Sequence, residues 1–291
     1  MAKKQKTEET NEKLLQLEAL FGKGTIVTAS SKKLTDVKEW CKTGSLTLDL
    51  ATNGKGIPKN GMATCILGKE SSGKTTLLSK LDNCLIVDLE GGSEFLEALS
   101  IQARTIEDLG NISRAIGEEA AKTGNKPYKY IAIDNATRLE EMCLGYAKVL
   151  YRQTPMGKSY NGDDIRTLPN GSGYMYLRMA VRKVIDMFRN LCDNFILIGH
   201  TKEKMINKEG EELSEMALDL VGKLGDIVCG EADAVGYVYR KKNETHISFE
   251  GGDNSVIEAR APHLRGKNIV VAESDENNNI TTYWNKVYLP E

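Results

Sequence analysis

Apolar residues recur along this chain with two periods that take turns. Short, continuously apolar runs at 62–67, 84–88, 130–134 and 195–198 read as buried strands, whereas 74–81 and 106–121 carry helical spacing. Leu139, Met142, Cys143, Tyr146, Val149 and Leu150 share one helical face; Leu177, Val181, Val184, Ile185, Phe188 and Leu191 share another. Apolar strands separated by helices predict an α/β fold with a mostly parallel central sheet flanked by helices, because parallel neighbours need crossover connections. Beyond Ala234 the pattern shortens to Gly-separated runs at 234–239, 245–249, 269–272 and 281–288, which predict antiparallel strands. Near the start, a dozen polar residues are expected to fray. Leu14, Leu17, Leu20 and Phe21 then predict a short helix stopped by Gly22 and Gly24. A helix at about 46–51 and a Gly/Pro/Asn loop at 53–61 lead into the main domain.

Composition narrows the class. Of 291 residues, 40% are hydrophobic and 27% charged, which is the range of a globular core. Lys plus Arg number 39 against 41 Asp plus Glu, so the net charge of −2 excludes a polycation or an acidic tail protein. No apolar run is long enough to span a membrane and no signal-peptide core is present, so a cytoplasmic location with no membrane partner is expected. Cys41, Cys65, Cys84, Cys143, Cys192 and Cys229 form no CxxC pair and read as buried, reduced thiols.

Candidate chemistry begins at Gly68-Lys69-Glu70-Ser71-Ser72-Gly73-Lys74-Thr75, followed by Thr76. This matches G-x-x-x-x-G-K-[ST] between a predicted strand and a predicted helix, the context a phosphate-binding loop requires. Its backbone N–H groups would face one anion, Lys74 would add a point charge, and Thr75 would offer a hydroxyl to Mg²⁺. Further groups belong at the carboxyl ends of the strands, where ligands of open α/β sheets bind. Asp134 ends the third apolar strand and is the candidate to hold Mg²⁺, with a helix N-cap as the alternative. Asp88 and Glu90 end the second, and Glu90 is the candidate to orient or deprotonate the attacking water, with a solvated loop carboxylate as the alternative. His200 follows the fourth strand, in reach of a γ-phosphate.

These residues resemble those of RecA-family recombinase ATPases, most closely the phage forms reduced to the RecA core. The resemblance is carried by Glu70 to Thr76, by Phe21-Gly22-Lys23-Gly24, by Thr43-Gly44-Ser45-Leu46-Thr47-Leu48-Asp49, and by Val87-Asp88-Leu89-Glu90-Gly91-Gly92-Ser93, over about residues 12–265. It implies a DNA-dependent ATPase that uses ATP and Mg²⁺. It also implies Glu90 as the water-activating glutamate, Asp134 as the Walker B aspartate, and His200 as the sensor where the family carries glutamine. The expected layout is an N-terminal arm and oligomerisation helix at 1–45, a RecA-like core at 46–265 and a C-terminal β extension at 266–291.

Single-stranded DNA and further copies of the chain, in a filament or a ring, are the partners the resemblance implies, with a single-strand-binding protein alongside. By position two mobile segments, 154–174 and 202–216, would touch DNA, bringing Lys158, Tyr160, Arg166, Tyr174, Lys202 and Lys204 to it. The helix 177–190 adds Arg178, Arg182, Lys183 and Arg189, a basic face that a solvated helix would share. Arg240, Lys241 and Lys242 match a stretch whose cations reach a neighbouring subunit's nucleotide, although a solvated turn fits them equally. The function expected is annealing or strand exchange in recombination, repair or replication of the phage type, in a host cytoplasm if phage-encoded. A helicase-like motor or a nucleotide-gated scaffold are the alternatives.

Overall fold

The computed structural model describes residues 62–289 except 95, 209–210, 253–254 and 278, together with two short strands at 40–41 and 57–58; at 40–41, 57–58, 204–208 and 211–215 it describes the backbone alone. The expected frayed arm, the helix at 14–21, the helix at 46–51 and the motifs at 21–24 and 43–49 lie outside the described residues. The chain divides into two compact units, 1–60 and 61–291. In the first, β1 (Trp40–Cys41) pairs antiparallel with β2 (Ile57–Pro58).

The second unit is one large twisted sheet with helices. Its elements run β3 (Ala63–Gly68), α1 (Lys74–Ser79), β4 (Cys84–Asp88), β5 (Ser100–Gln102), α2 (Ile106–Thr123), β6 (Tyr128–Asp134), α3 (Ala136–Arg152) and α4 (Ser172–Arg189). There follow β7 (Cys192–Lys208), β8 (Glu211–Leu218), α5 (Leu224–Glu231), β9 (Ala234–Lys241), β10 (Glu244–Ser248), β11 (Glu258–Ala259), β12 (Asn268–Ser274) and β13 (Ile280–Thr282). Strands lie in the order β13-β12-β10-β9-β3-β7-β6-β4-β5. From β9 to β5 all neighbours are parallel, and from β9 outward to β13 all are antiparallel. The switch follows from connection length, since β9 turns back within two residues whereas every parallel step crosses over through a helix or a longer segment.

Alternation along each strand divides the core between the two faces. Cys65, Leu67, Leu85, Val87, Ile131, Ile133, Phe195 and Leu197 pack under α2, α3, α4 and α5. Ile66, Ile86, Ala132, Ile196, Ile198 and Val238 pack on the other face, under Leu77 and Leu78 of α1 and the C-terminal residues Trp284, Val287 and Tyr288. Complete burial of an isoleucine such as Ile86 or Ile131 contributes about 2 kcal/mol. The Trp284 indole N–H donates to the Leu77 carbonyl at 3.0 Å, tying the C-terminal segment to α1.

Helix limits follow local chemistry. Thr105 and Asp108 form a reciprocal capping box on α2, and Gly124 ends it with φ +74°. Asn135 caps α3, its Oδ1 accepting from the Arg138 N–H. The expected strand at 281–288 is instead β13 followed by a 3₁₀ turn, Trp284–Lys286. β5, β8, α5 and β11 were not visible in the apolar pattern, being short, or polar as in β8.

The two segments expected to be mobile have regular structure. Residues 202–208 and 211–216 fall on β7 and β8, which pair antiparallel from Thr201↔Leu218 to Lys208↔Glu211. Lys202, Lys204 and Lys208 of β7 and Glu211, Glu212 and Glu215 of β8 interrupt the apolar positions of both strands, such as Ile206 and Leu213, so charge masked the strand signal. Residues 154–171 fold into turns and two 3₁₀ helices, Ile165–Thr167 and Pro169–Gly171. The glycines there serve close approach: a Cβ at Gly157 would stand 2.0 Å from the Tyr151 carbonyl oxygen, and one at Gly173 would stand 1.8 Å from that of Ile165.

Candidate nucleotide site

Parallel pairing brings the ends of four strands to one edge. Gly68 of β3 is level with His200 of β7, and Asp88 of β4 is level with Asp134 of β6. Between β3 and α1 the chain turns through residues 69–73, with Ser71 at φ +58° and Gly73 at φ +86°. The left-handed conformation at Gly73 is one that glycine adopts without strain. Lys74 is buried, and its ammonium donates to the Gly68 carbonyl (3.0 Å), the Lys69 carbonyl (2.8 Å) and Ser72 Oγ (3.2 Å). Burial lowers its pKa, with the charges of Asp134, Glu70 and Glu90 opposing the shift.

The Thr75 hydroxyl donates to Asp134 Oδ2 at 2.6 Å. Burial raises the Asp134 pKa, the Thr75 bond and Lys74 oppose it, and the charges of Asp88 and Glu90 add to it. A carboxylate destabilised by desolvation and by neighbouring anions is a fitting ligand for a hard cation, and the hydroxyl beside it completes an oxygen pair of the kind Mg²⁺ takes. The cap of α3 is Asn135, so Asp134 is not consumed in capping.

Asp88 is buried and accepts five hydrogen bonds. Its Oδ1 takes the N–H groups of Glu90 (3.0 Å), Gly91 (2.7 Å) and Gly92 (3.3 Å), and its Oδ2 takes the N–H (2.8 Å) and hydroxyl (2.6 Å) of Ser93. Burial alone would raise its pKa, but the bonds from Ser93, Gly91 and Glu90 prevail and hold it below the usual aspartate value. The loop that carries Glu90 is thus wound around one carboxylate. Glu90 itself is exposed, and its charge is felt at both Lys74 and Asp134.

The His200 ring is held by Asn135, whose Nδ2 lies 3.0 Å from His200 Nε2. Because Asn135 Oδ1 faces the α3 backbone, Nδ2 is the donor and Nε2 the acceptor, which leaves the proton on Nδ1. That nitrogen is buried and has no hydrogen-bond partner among the described residues. The His200 carbonyl accepts from Asp219 N–H at 2.9 Å, and Thr137 Oγ1 donates to the Asp219 carbonyl at 3.0 Å, so the base of the β7–β8 hairpin is bonded on both sides to site residues. Glu140, a turn further along α3, receives the Val221 N–H at 3.0 Å.

Sequence reasoning missed Asn135, Ser93, Thr137 and Glu140. Asn135 was detectable, since an asparagine between an apolar strand and a helical run is a cap signal. Glu140 was not, because its partner is 81 residues away.

The residues expected to meet DNA are dispersed in their pairing. Arg166 is ion-paired with Asp164 (2.7 Å), Arg182 with Glu231 (2.7 Å), Arg189 with Asp233 (3.5 Å) and Lys202 with Asp219 (3.3 Å). Tyr160 is half-buried, its hydroxyl donating to the Asp164 carbonyl and its ring edge-on to Tyr151 at 5.3 Å, so it is a packing residue in this structure rather than a free stacking face. Lys158, Lys183 and Tyr174 are exposed and Arg178 is half-buried; the side chain of Lys204 lies outside the described residues. Lys241 and Lys242 are exposed at the β9–β10 turn, and Arg240 lies against Gly73 of its own chain.

Comparison with known proteins gives two family matches: the AAA domain over residues 60–276 and the RecA N-terminal domain over residues 8–101. Protein RecA of Wigglesworthia glossinidia brevipalpis is 26% identical over 279 residues, covering 88% of this chain and 79% of that protein. Protein RecA of Laribacter hongkongensis is 32% identical over 128 residues, 41% of this chain and 36% of that protein. The mitochondrial DNA repair protein recA homolog of Dictyostelium discoideum is 41% identical over 85 residues, 26% of this chain and 19% of that protein. The matched stretches therefore span well under half of the latter two relatives.

Proposed function

The chain belongs to the AAA domain family and to the RecA family, and from that premise we propose that it is an Mg²⁺-dependent ATPase that assembles on single-stranded DNA and promotes annealing or strand exchange in phage-type recombination. One observation carries the nucleotide half of this reading: the 2.6 Å bond from Thr75 to Asp134 joins the phosphate loop to the strand edge where Glu90 and His200 also stand. Thr75 and Asp134 are the residues that would hold Mg²⁺, which when bound screens the charge of phosphate oxygens. Lys74 and the loop N–H groups bind the phosphates of ATP. Glu90 orients the attacking water and takes its proton, on a backbone fixed by Asp88. His200 reports the γ-phosphate to the hairpin it opens, through backbone bonds at Asp219. Homo-oligomerisation as a filament or ring, and DNA contact through residues 154–174 and 202–216, complete the proposal.

Anisotropy of a labelled oligo-dT, with and without a non-hydrolysable ATP analogue, tests it. Nucleotide-dependent binding at low salt is the expected result, and its absence sinks the recombinase reading. A second reading, a nucleotide-gated scaffold, is favoured by the ion pairs that already occupy Arg166, Arg182, Arg189 and Lys202. Slow ATP turnover without any DNA binding is the outcome that would select it.

A further inference from the structure

Among the described residues the guanidinium of Arg240 has no counter-ion, and it sits on the phosphate loop. β9 runs parallel to β3 with Leu67 level with Tyr237, so β9 continues past the end of β3 and overhangs the turn at 69–73. Val238 faces the α1 side of the sheet, where it packs with Leu77 and Leu78, and Arg240, two residues on, shares that face. A Cβ built on Gly73 would lie 2.7 Å from Arg240 Nη2, 3.2 Å from Nε and 3.3 Å from Cζ, so the Nε–Nη2 edge of the guanidinium is turned to Gly73. Gly73 is the residue before Lys74, and no side chain caps α1 there. The Lys74 ammonium is turned away into three loop oxygens. Among the described residues no carboxylate is paired with Arg240, unlike Arg166, Arg182 and Arg189.

A planar, permanently charged fork held at the mouth of an anion cradle is suited to paired phosphate oxygens. We propose that Arg240 binds the triphosphate of its own subunit, as a cation acting in cis beside Lys74, rather than that of a neighbour. This rests on the reading of residues 68–75 as a nucleotide site. Arg240 would close over the nucleotide from the β9 side, so that a binding event at the loop is also felt by the β9–β10 turn with Lys241 and Lys242.

The test measures affinity for fluorescent ATP and AMP analogues in the full chain and in its Arg240→Gln, Arg240→Lys, Lys74→Ala and Lys122→Gln variants. Lys122 is exposed at the end of α2 and serves as a charge control. Removing a charge-assisted pair should weaken ATP binding roughly 10- to 100-fold in Arg240→Gln, with partial recovery in Arg240→Lys, no change in Lys122→Gln and little effect on AMP. Mixing Arg240→Gln with Lys74→Ala then separates cis from trans. A cis cation predicts no recovery of turnover, because no subunit carries both groups. Unchanged ATP affinity in Arg240→Gln, or turnover restored in the mixture, overturns the proposal. If instead Lys74→Ala binds ATP as tightly as the unaltered chain, the nucleotide site itself is misplaced and both readings fall.

Discussion

Asn135 fixes the tautomer of His200. The same side chain caps α3 with its oxygen and donates to the imidazole with its nitrogen, so the orientation demanded by the helix dictates which ring nitrogen of His200 carries the proton. Asn135→Asp keeps a good cap but turns the donor into an acceptor. The expected result is a loss of stability, because position 135 is buried, together with a proton on Nε2 that donates to the new carboxylate. Imidazole ¹⁵N shifts read the tautomer, and coupling of ATP turnover to single-stranded DNA should fall in parallel. An unchanged ¹⁵N pattern would show that the cap does not govern the ring.

Asp88→Asn is expected to loosen the loop carrying Glu90. An amide oxygen cannot replace a carboxylate that accepts five bonds, so stability should drop by about 2 kcal/mol in urea titration and turnover should fall well beyond that of a surface change. The folded-state pKa is depressed, so the stabilisation is complete above the ordinary aspartate value and is lost as pH falls through the folded value. The acid limb of the stability curve should therefore flatten in the variant.

Glu140 has the opposite sign. Burial raises its pKa, with the Val221 N–H opposing, so the unfolded chain ionises first as pH rises and the fold loses stability between the ordinary glutamate value and the raised folded one. Glu140→Gln keeps an acceptor for Val221 and removes that penalty. Thermal melts should show it more stable than the parent at pH 7, with the difference shrinking as pH falls below the ordinary glutamate value.

Gly173→Ala should be severely destabilising, because its Cβ would fall 1.8 Å from a backbone oxygen that cannot move without displacing the 3₁₀ turn at Ile165. A loss of about 3 kcal/mol is expected from the clash. Denaturant midpoints measure it, and an unperturbed midpoint would show that residues 154–171 are not packed as described.

Cys65, Cys84, Cys143, Cys192 and Cys229 are free and buried. Burial pushes the Cys84, Cys143 and Cys192 thiols up to about 12, and the bond between Cys65 and Cys229, with burial, raises Cys65 as well. Ellman's reagent at pH 8 should leave these five unmodified in the native protein and titrate them on unfolding.

The parallel half of the sheet was readable in the sequence because its strands are buried on both faces and so carry unbroken apolar runs, as at 84–88 and 130–134. The phosphate loop was readable because its function constrains consecutive residues. The β7–β8 hairpin was not, since charged residues interrupt the few apolar positions of both strands, and its three lysines against five glutamates resemble a loop. The Gly- and Pro-rich stretch after α3 misled for another reason: glycine marks tight backbone contact as often as freedom, and only the position of the Tyr151 and Ile165 carbonyls decides which. The ion pair of Arg182 depends on Glu231 at the end of α5, itself invisible in the apolar pattern, and that of Arg189 on Asp233 just before β9, so the basic helix looked less neutralised than it is.

The bond from Trp284 to Leu77 gives the molecule a built-in optical gauge. The chain has two tryptophans, Trp40 and Trp284, so Trp40→Phe would leave a single indole whose N–H is tied to the helix that begins at Lys74. Any shift of that helix when the loop fills changes the polarity around the ring, and the emission maximum of unlabelled protein becomes a direct titration signal for the loop.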